Sequence, residues 1–400
     1  MHRWVIIVVI GCLVPGVIGA GEAKRVPQEY LDSIVDDIPN PLPRGLAPGE
    51  TVPILDWASR MPLTPPSGSV TTPAEYELND GLLISWGSFN PLLTEAAVAV
   101  TTGTEATVWI VVPNAGTQSS ATTTLSGAGA NMNQVEFILY TTDWVWMRDY
   151  GPRFISEDST RAIVDHTYNR SSRPNDNAFP DHLSAEWGEP QYDIPLVHGG
   201  GNFHLFGDGE AFMTELILDE NSGLSPQDVE DLFMDYEGLD LTIMPPFPSW
   251  YDSTQHIDMW MLPVADREVI IGEYPVSDTE VRTVTEDAVT LLEGRGYTVH
   301  RTPGWSSGGT HYTYTNSVIL NEVVLACQFQ NGNSNFADED AEAVATFEAI
   351  YPDRQIVPVD CSAIIGYSGA IHCIVMHVPE VTPLLFADGF ETGDTSAWQW

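Results

Sequence analysis

The sequence is almost without lysine and is poor in basic residues generally. Lys24 is its one lysine, and Lys plus Arg total 15 against 56 Asp plus Glu, which gives a formal net charge of −41. Nucleic-acid binding depends on lysine and arginine meeting phosphate, so this composition argues against a nucleic-acid partner. The acidic surface favours solubility, above all where salt screens self-repulsion, and it also favours the approach of cationic ligands such as guanidinium groups.

Long apolar runs are missing outside the N-terminus. Residues 4–18 are apolar, follow Met1-His2-Arg3 and end at Gly19-Ala20, which is the pattern of a secretory signal peptide cleaved after Ala20. A lipoprotein site at Cys12 is the weaker alternative, because the chain stays apolar beyond it. No other stretch approaches the ~20 apolar residues of a membrane span. The mature chain is therefore expected to be secreted or periplasmic, with no membrane partner after cleavage.

Cysteine is also scarce. Loss of the leader removes Cys12 and leaves Cys327, Cys361 and Cys373, an odd number that leaves one thiol unpaired in an oxidising compartment. Cys327 and Cys361 could pair, although the sequence does not fix the connectivity. Cys373 lies beside His372 where an apolar run opens, and we expect it at the start of a strand. A buried structural cysteine is the alternative.

Five polar positions recur at a near-constant interval. Asp149, Asn202, Asp258, Asn316 and Cys373 are separated by 53, 56, 58 and 57 residues, and each opens a pair of apolar runs joined by a turn. The turns have the composition of hairpin turns and lie at 156–159, 207–209, 265–267 and 321–322. A repeat of this length indicates a solenoid, a propeller or an array. If the units close into a ring, the five side chains converge on one pocket.

The rest of the chain suggests appendages around one large α/β domain. Prolines are dense before residue 70 and deny regular structure there, which predicts an extended arm or, alternatively, disorder. Helices are predicted after Ser225, over 283–292 and over 338–350, and buried strands at 107–113 and 134–140. Alternation of helices with strand pairs indicates an α/β architecture. The predicted domains are 1–20 (signal peptide), 21–74 (Pro-rich arm), 75–382 (catalytic domain) and 383–400 (C-terminal tail).

The five converging residues suit chemistry on a guanidinium group. Two carboxylates, Asp149 and Asp258, can hold the planar cation through parallel charge-assisted hydrogen bonds. Cys373 can then attack the electrophilic carbon, with its pKa lowered by the bound cation and a nearby histidine. His256 is the natural general acid and base, since it lies two residues from Asp258.

Each of these residues also has an ordinary structural interpretation. Asp149 can be a turn acid, His256 a strand histidine and Asn316 a turn-forming residue. A metal site is the competing function, because His256 and Asp258 would share one face of a strand and other histidines are available. The helical histidine spacing of common zinc motifs and any CxxC pair are missing, so we predict no metal. The other histidines considered are His198, His204, His311, His372 and His377.

Several motifs resemble those of the bacterial-type peptidylarginine deiminases and agmatine deiminases, members of the guanidine-modifying (pentein) superfamily. Together they span about residues 75 to 380. The matching stretches are Asp143-Trp144-Val145-Trp146-Met147-Arg148-Asp149-Tyr150-Gly151-Pro152, Gly200-Gly201-Asn202-Phe203, Asp208-Gly209, His256-Ile257-Asp258, Tyr314-Thr315-Asn316-Ser317 and Gly369-Ala370-Ile371-His372-Cys373-Ile374.

This resemblance implies a five-bladed, pseudosymmetric α/β propeller with the active site on its axis. It implies a nucleophile at Cys373, a general acid and base at His256, and a supporting residue at Asn316. Guanidinium-binding acids would be Asp149 and Asp258. We add Trp146 and Asn202, which lie in two of the shared motifs, to the predicted substrate contacts. No cofactor is implied, and ammonia is released.

The resemblance leaves the substrate open between peptidyl arginine, free arginine and agmatine. Arg170 and Arg173 follow the first hairpin, where the peptidylarginine branch is thought to hold a C-terminal carboxylate; two structural arginines are the alternative. Agmatine has no carboxylate, and agmatine deiminases are usually cytoplasmic, so the predicted export favours arginine-type substrates. The alternatives are an exported agmatine deiminase that makes N-carbamoylputrescine and a catalytically inactive propeller that only binds.

Overall fold

The computed structural model describes residues 21–55, 63–329 and 334–380. The predicted signal peptide and C-terminal tail lie outside these ranges. Helices and strands alternate along the described chain, as the α/β prediction requires. Within the same ranges, no helix combines the length and the apolar character needed to cross a membrane.

The helices and strands of the described residues are as follows. The helices are α1 (Gln28–Leu31), α2 (Asn90–Gly103), α3 (Ala115–Ala128), α4 (Met147–Tyr150), α5 (Pro174–Asn177), α6 (Phe179–Trp187), α7 (Leu216–Glu220), α8 (Pro226–Glu237), α9 (Thr279–Gly294) and α10 (Ala337–Ile350). The strands are β1 (Val70–Thr71), β2 (Asn79–Ser85), β3 (Thr107–Val112), β4 (Val135–Leu139), β5 (Arg153–Glu157), β6 (Thr160–Tyr168), β7 (Gln191–His198), β8 (His204–Leu205), β9 (Glu210–Thr214), β10 (Asp240–Met244), β11 (Met261–Ala265), β12 (Glu268–Glu273), β13 (Thr298–Ser307), β14 (Thr310–Thr313), β15 (Val318–Leu320), β16 (Val323–Gln328), β17 (Gln355–Asp360) and β18 (Val375–Pro379).

The described strands form five small sheets that share one pattern. The strand orders are β1-β5-β6-β7, β10-β9-β8, β11-β12-β13-β14, β15-β16-β17 and β18-β2-β3-β4. Four of the sheets contain an antiparallel hairpin whose second strand pairs in parallel with a strand beyond a helix. In the fifth, β18 from the end of the chain takes the place of the first hairpin strand beside β2.

The central strands are buried on both faces. Val323 and Leu325 of β16 belong to one apolar cluster, and Val324 and Ala326, which point the other way, belong to a second. All four side chains are fully buried. Parallel strands covered on both faces read as continuous apolar runs, which is why periodicity alone could find these strands but not their orientation.

The predicted turns and helices are confirmed. Each of the four predicted hairpin turns joins two antiparallel strands. In the first of them, Asp158 and Ser159 both have positive φ, as a tight type I′ connection requires. Ser225 caps α8 in a capping box with Asp228, and α9 and α10 cover the other two predicted helices.

The proline-rich segment is an arm laid against the domain. It contains one short helix, α1, and otherwise no regular structure over residues 21–55. The Tyr30 hydroxyl donates to the Thr124 carbonyl, and the Ile38 amide donates to the Gly87 carbonyl. Beyond these anchors the arm turns inward, and the guanidinium of Arg44 is fully buried among the polar residues of the repeat.

Candidate active site

Four of the five repeated residues meet at one buried point. The thiol of Cys373 lies 3.1 Å from Oδ1 of Asn316 and 3.8 Å from Oδ2 of Asp258. One guanidinium joins Asp258 to Asp149. His256 also reaches this point, with Nδ1 3.5 Å from Oδ1 of Asp149. The four repeated residues and His256 are all fully buried. The chain therefore builds a dry pocket from residues that are far apart in sequence.

Tight turns rather than strands carry these side chains. Cys373 lies in the 3₁₀ turn His372–Ile374, immediately before β18. The expectation that it lies at the start of the strand itself was therefore wrong, because the strand begins at Val375. The amides of Cys373 and Ile374 donate to the carbonyls of Ala370 and Ile371, which closes the turn. Asp258 lies in the 3₁₀ turn before β11, so His256 and Asp258 do not share a strand face as the metal hypothesis assumed.

The guanidinium in the pocket belongs to Arg44 of the arm. Nε and Nη2 of Arg44 donate to the two carboxylate oxygens of Asp149 at 2.9 and 2.8 Å. Nη1 and Nη2 donate to both oxygens of Asp258 at 2.9 and 2.8 Å. This is the clamp predicted for a substrate guanidinium. Sequence reasoning missed Arg44, because nothing in a proline-rich arm signals a contact 105 and 214 residues away.

The main chain of Arg44 is held as well as its side chain. Its amide donates to the Tyr367 carbonyl at 3.0 Å. Its carbonyl accepts from Nε and Nη2 of Arg170 at 3.1 and 2.9 Å. Two residues before Arg44, the Leu42 carbonyl accepts a hydrogen bond from Nε1 of Trp146 at 3.0 Å. The pocket therefore accommodates an arginine within a peptide, bound through its guanidinium and through its backbone.

Arg170 and Arg173, the predicted carboxylate ligands, both contact the arm. Arg173 is fully buried, forms an ion pair with Glu50 at 3.0 Å and donates to the carbonyls of Pro43 and Gly45 at 2.9 and 3.4 Å. Arg170 alone of the two reaches the backbone carbonyl of Arg44. Arg170 therefore binds the main chain of the residue whose guanidinium lies in the clamp.

Opposing effects act on the nucleophile candidate. Burial raises the pKa of the Cys373 thiol well above its usual range, and the carboxylates of Asp258 and Asp149 raise it further. The Arg44 guanidinium and a hydrogen bond from the Ala370 amide, 3.4 Å from Sγ, lower that pKa. Burial dominates, so the resting group is the thiol, and the cation in the clamp only lessens the cost of forming the thiolate.

His256 is neutral beside the bound cation. Burial, reinforced by the Arg44 guanidinium, lowers the pKa of His256 to about 3. Neither ring nitrogen has a hydrogen-bond partner among the described residues. A buried imidazole with unsatisfied ring nitrogens is costly, and a pKa shifted by burial and a neighbouring charge marks His256 as a candidate functional group.

The clamp acids are held ionised. Burial raises the pKa of Asp258, but the Arg44 guanidinium and the hydrogen bond from His372 outweigh it and hold that pKa well below the usual range. The pKa of Asp149 is also lowered, because the Arg44 guanidinium outweighs burial. Both carboxylates therefore remain charged partners for a cation at neutral pH.

His372 and Glu75 support the clamp from behind. Nδ1 of His372 lies 3.0 Å from Oδ2 of Asp258, and Nε2 lies 2.9 Å from Oε2 of Glu75. Glu75 in turn forms an ion pair with Arg148 at 2.5 Å. These residues orient Asp258 without touching the guanidinium. The sequence carried one signal, the adjacency of His372 to Cys373, but it gave no reason to pair His372 with Glu75.

Asn202 is placed differently from the other repeated positions. Its carboxamide nitrogen donates to the Thr214 carbonyl at 3.4 Å and its oxygen accepts from the Thr214 amide at 3.0 Å. Its neighbour Gly201 faces the guanidinium instead. A Cβ at Gly201 would lie 1.6 Å from Nη2 of Arg44, and the Gly201 amide donates to Asp149 at 3.1 Å. In this unit of the repeat, Gly201 contributes to the pocket by leaving room for the guanidinium.

The other two cysteines of the described residues, Cys327 and Cys361, lie together beside the site. Sγ of Cys361 is 2.8 Å from Sγ of Cys327, and both are buried, unbonded thiols. The Cys327 thiol also donates to the Asn316 carbonyl at 3.2 Å. The adjacency suits the pairing considered from the sequence, and it leaves Cys373 apart.

Among the described residues, one group of three has the geometry to hold a metal ion. It consists of Glu75, His204 and His372, whose ligand atoms lie within 4.8 Å of one another. His256 and Asp258, the pair on which the metal hypothesis rested, are outside it. Both ring nitrogens of His372 already have hydrogen-bond partners, Asp258 and Glu75. Neither nitrogen is therefore free to bind a metal in this arrangement.

The chain matches a known protein family over most of its length. The family described as Porphyromonas-type peptidyl-arginine deiminase matches residues 71–379. A provisionally named agmatine deiminase of Streptomyces avermitilis is 23% identical over 362 residues, which cover 79% of this chain and 99% of that relative.

Solved structures share the fold. The agmatine deiminase of Enterococcus faecalis aligns with a TM-score of 0.67 at 20% identity, over 78% of this chain and 96% of its own. A provisionally named arginine deiminase from Porphyromonas gingivalis aligns with a TM-score of 0.68 at 19% identity, over 78% of this chain and 99% of its own. At such low identities, the likeness establishes the fold of the domain.

Proposed function

Because the chain belongs to the Porphyromonas-type peptidyl-arginine deiminase family, we propose that it hydrolyses the guanidinium group of arginine residues in peptides, leaving citrulline and ammonia. It is a hydrolase of carbon–nitrogen bonds in linear amidines. The observation that carries the peptidyl substrate is Arg44, an arginine within a chain whose guanidinium, amide and carbonyl are all bound. Agmatine has no main chain to use the last two contacts.

The reaction proceeds through a covalent intermediate on Cys373. Asp149 and Asp258 fix the guanidinium, and neutral His256 accepts the proton of the Cys373 thiol as sulfur bonds to the guanidinium carbon. The carbon–nitrogen bond then breaks, and ammonia leaves with the proton returned by His256. Water, deprotonated by His256, adds to the same carbon, and the carbon–sulfur bond breaks to give a ureido group. Overall, one guanidinium and one water yield one urea and one ammonium ion.

We also propose that the domain, with predicted bounds 75–382, is a five-bladed α/β propeller. Its support is the shared pattern of the five described sheets and the pairing of β18 with β2, which would close the ring. The repeated polar residues precede the first hairpin strand of successive sheets. A ring places the same end of each sheet near its axis, which accounts for their convergence.

Export of the protein remains a proposal from the sequence. Cleavage after Ala20 predicts that the protein recovered outside the cytoplasm begins at Gly21. N-terminal sequencing of that protein measures this directly. Recovery of a chain that still carries Met1, or that is lipidated at Cys12, would contradict it.

Agmatine is the second candidate substrate. Relatives and solved structures that carry the name agmatine deiminase favour it. Ammonia release should be compared across agmatine, free arginine, and peptides with internal or C-terminal arginine. Peptide turnover supports the main proposal, and turnover of agmatine alone replaces it. Absence of ammonia with every compound would favour an inactive binding protein.

The role of Arg170 can be tested with matched peptides. The background should be Arg44→Ala, so that the arm does not compete for the pocket. A peptide ending in arginine should have a lower KM than its C-terminal amide, because a hydrogen bond to a charged group is worth roughly 1.5–3 kcal/mol. At ~1.4 kcal/mol per tenfold, the difference should be at least about tenfold.

Adding Arg170→Ala should erase the difference between the acid and the amide, while agmatine turnover changes little. This double comparison separates the contact from general damage to the pocket. Arg173→Ala in the same background is the matched control, since Arg173 pairs with Glu50 rather than with the residue in the clamp. A persistent preference for the acid in the Arg170 variant would exclude this role.

A further inference from the structure

The arm fills the active site as a substrate would. Arg44 takes all four oxygens of the two clamp carboxylates, and its backbone takes the contacts offered by Tyr367 and Arg170. Its side chain is fully buried. While the arm is docked, no second guanidinium has a place to bind.

The surroundings of Arg44 differ from those of an arginine that only forms a structural ion pair. A buried charge network needs balanced charges and hydrogen bonds, but it has no need of a nucleophile. Here the guanidinium interacts electrostatically with Cys373 and with His256, and it shifts the pKa of each. The glycine at position 201 leaves the space that Nη2 of Arg44 occupies. The same groups are those assigned to catalysis above.

The backbone on both sides of Arg44 is hydrogen-bonded to the domain. The carbonyls of Leu42, Pro43 and Gly45 accept from Trp146 and Arg173, on either side of the Arg44 contacts. The segment 42–45 therefore lies in the cleft as a short peptide with its arginine in the clamp.

We propose that Arg44 is the enzyme's own substrate, deiminated in cis by the site it occupies. This inference rests on the proposed function. The Arg44 guanidinium carbon bonds to the sulfur of Cys373, ammonia leaves, and water releases the sulfur. Arg44 becomes citrulline, and Cys373 becomes a free thiol again. No reactant beyond water is required.

Deimination of Arg44 would also open the site. The ureido product carries no charge, so it forfeits its ion pairs with Asp149 and Asp258 and leaves two buried carboxylates without a cation. Charge-assisted hydrogen bonds are about twice as strong as neutral ones, and carboxylates left unpaired in a dry pocket favour entry of another cation. Segment 42–45 is then released, while the anchors at Tyr30 and Ile38 keep the arm on the domain.

The test is mass spectrometry of the peptide that contains Arg44, in the full-length enzyme and in Cys373→Ser. We expect citrulline at position 44 of the wild type and arginine in the variant. Arg25, an arm residue whose side chain is 57% exposed, serves as the internal control and should remain arginine in both. Activity towards an external arginyl peptide is measured in parallel, and also in Arg44→Ala.

The outcomes separate self-modification from the proposed function. Arginine at position 44 in a wild type that deiminates external peptides overturns self-modification alone. The same holds if the wild type is inactive, keeps Arg44 unmodified, and becomes active in Arg44→Ala, because Arg44 is then only a plug. Inactivity of both the wild type and Arg44→Ala overturns the proposed function itself.

A mixing experiment tests the intramolecular step. Cys373→Ser protein, distinguished by an affinity tag, is incubated with the active wild type. Its own arm is docked in its own site, so Arg44 of the variant should stay arginine. Conversion of that residue to citrulline would show action between molecules and overturn the proposal of deimination in cis.

Discussion

Replacing Cys373 by serine should abolish ammonia release from every guanidino substrate, by roughly 10,000-fold or more, as expected when a covalent nucleophile is lost. Even beside the cation, a serine hydroxyl is far from ionised at neutral pH, whereas the thiol has Arg44 or a substrate guanidinium to lower its pKa. The measurement is steady-state ammonia release in the Arg44→Ala background, so that the arm does not occupy the site of the variant, with thermal unfolding to confirm that the variant is folded.

Cys361→Ser is the matched control. Cys361 is equally buried but contacts Cys327 rather than the clamp, so this variant should keep its turnover. A haloamidine should label Cys373 in the wild type and nothing in Cys373→Ser. More than a few per cent of activity in the serine variant, or labelling at Cys327 instead, would refute the covalent mechanism.

Removing one clamp charge should have the next largest effect. Asp258→Asn leaves the substrate guanidinium with Asp149 as its one anionic partner in a dry pocket. Truncating one side of a buried, hydrogen-bonded charge pair typically costs ~2–5 kcal/mol. The kcat/KM for an arginyl peptide should therefore fall at least about 30-fold, at ~1.4 kcal/mol per tenfold. Asp149→Asn should behave alike.

Both variants should be compared in the Arg44→Ala background, because the same substitutions also weaken binding of the arm. Asp266→Asn provides the control. Asp266 follows β11, whereas Asp258 precedes it, and its contact is with the Tyr76 hydroxyl, so its variant should match the parent. An unchanged kcat/KM in the Asp258 or Asp149 variant would remove that residue from the clamp.

The repeat in the sequence predicted the convergence of the site, and the reason is geometric. Residues at equivalent positions of equivalent units come together whenever the units are arranged alike, so near-constant spacing located Asp149, Asp258, Asn316 and Cys373. Spacing reports position and not chemistry, which is why Asn202 was included. At that unit the backbone turn is preserved, but the side chain bonds to Thr214 and Gly201 faces the pocket.

Arg44 and Glu75 were beyond sequence reasoning for a different reason. Neither lies in the repeat, and each acts through contacts with residues 73 or more positions away. Hydrophobic period and turn composition describe local structure, so they cannot indicate where an irregular arm will dock. Arg170 and Arg173 were singled out for a substrate carboxylate, and that role stays a prediction, although both were found on the peptide path.

The pairing of β18 with β2 has a consequence for the time at which activity appears. Val375 pairs with Ile84, so this sheet joins the two ends of the domain, and Cys373 lies directly before the later strand. During synthesis the arm, both clamp acids and His256 all emerge before the sulfur does. A chain that ends before Cys373 carries the clamp acids but no nucleophile, so activity requires the last turn and the strand that follows it.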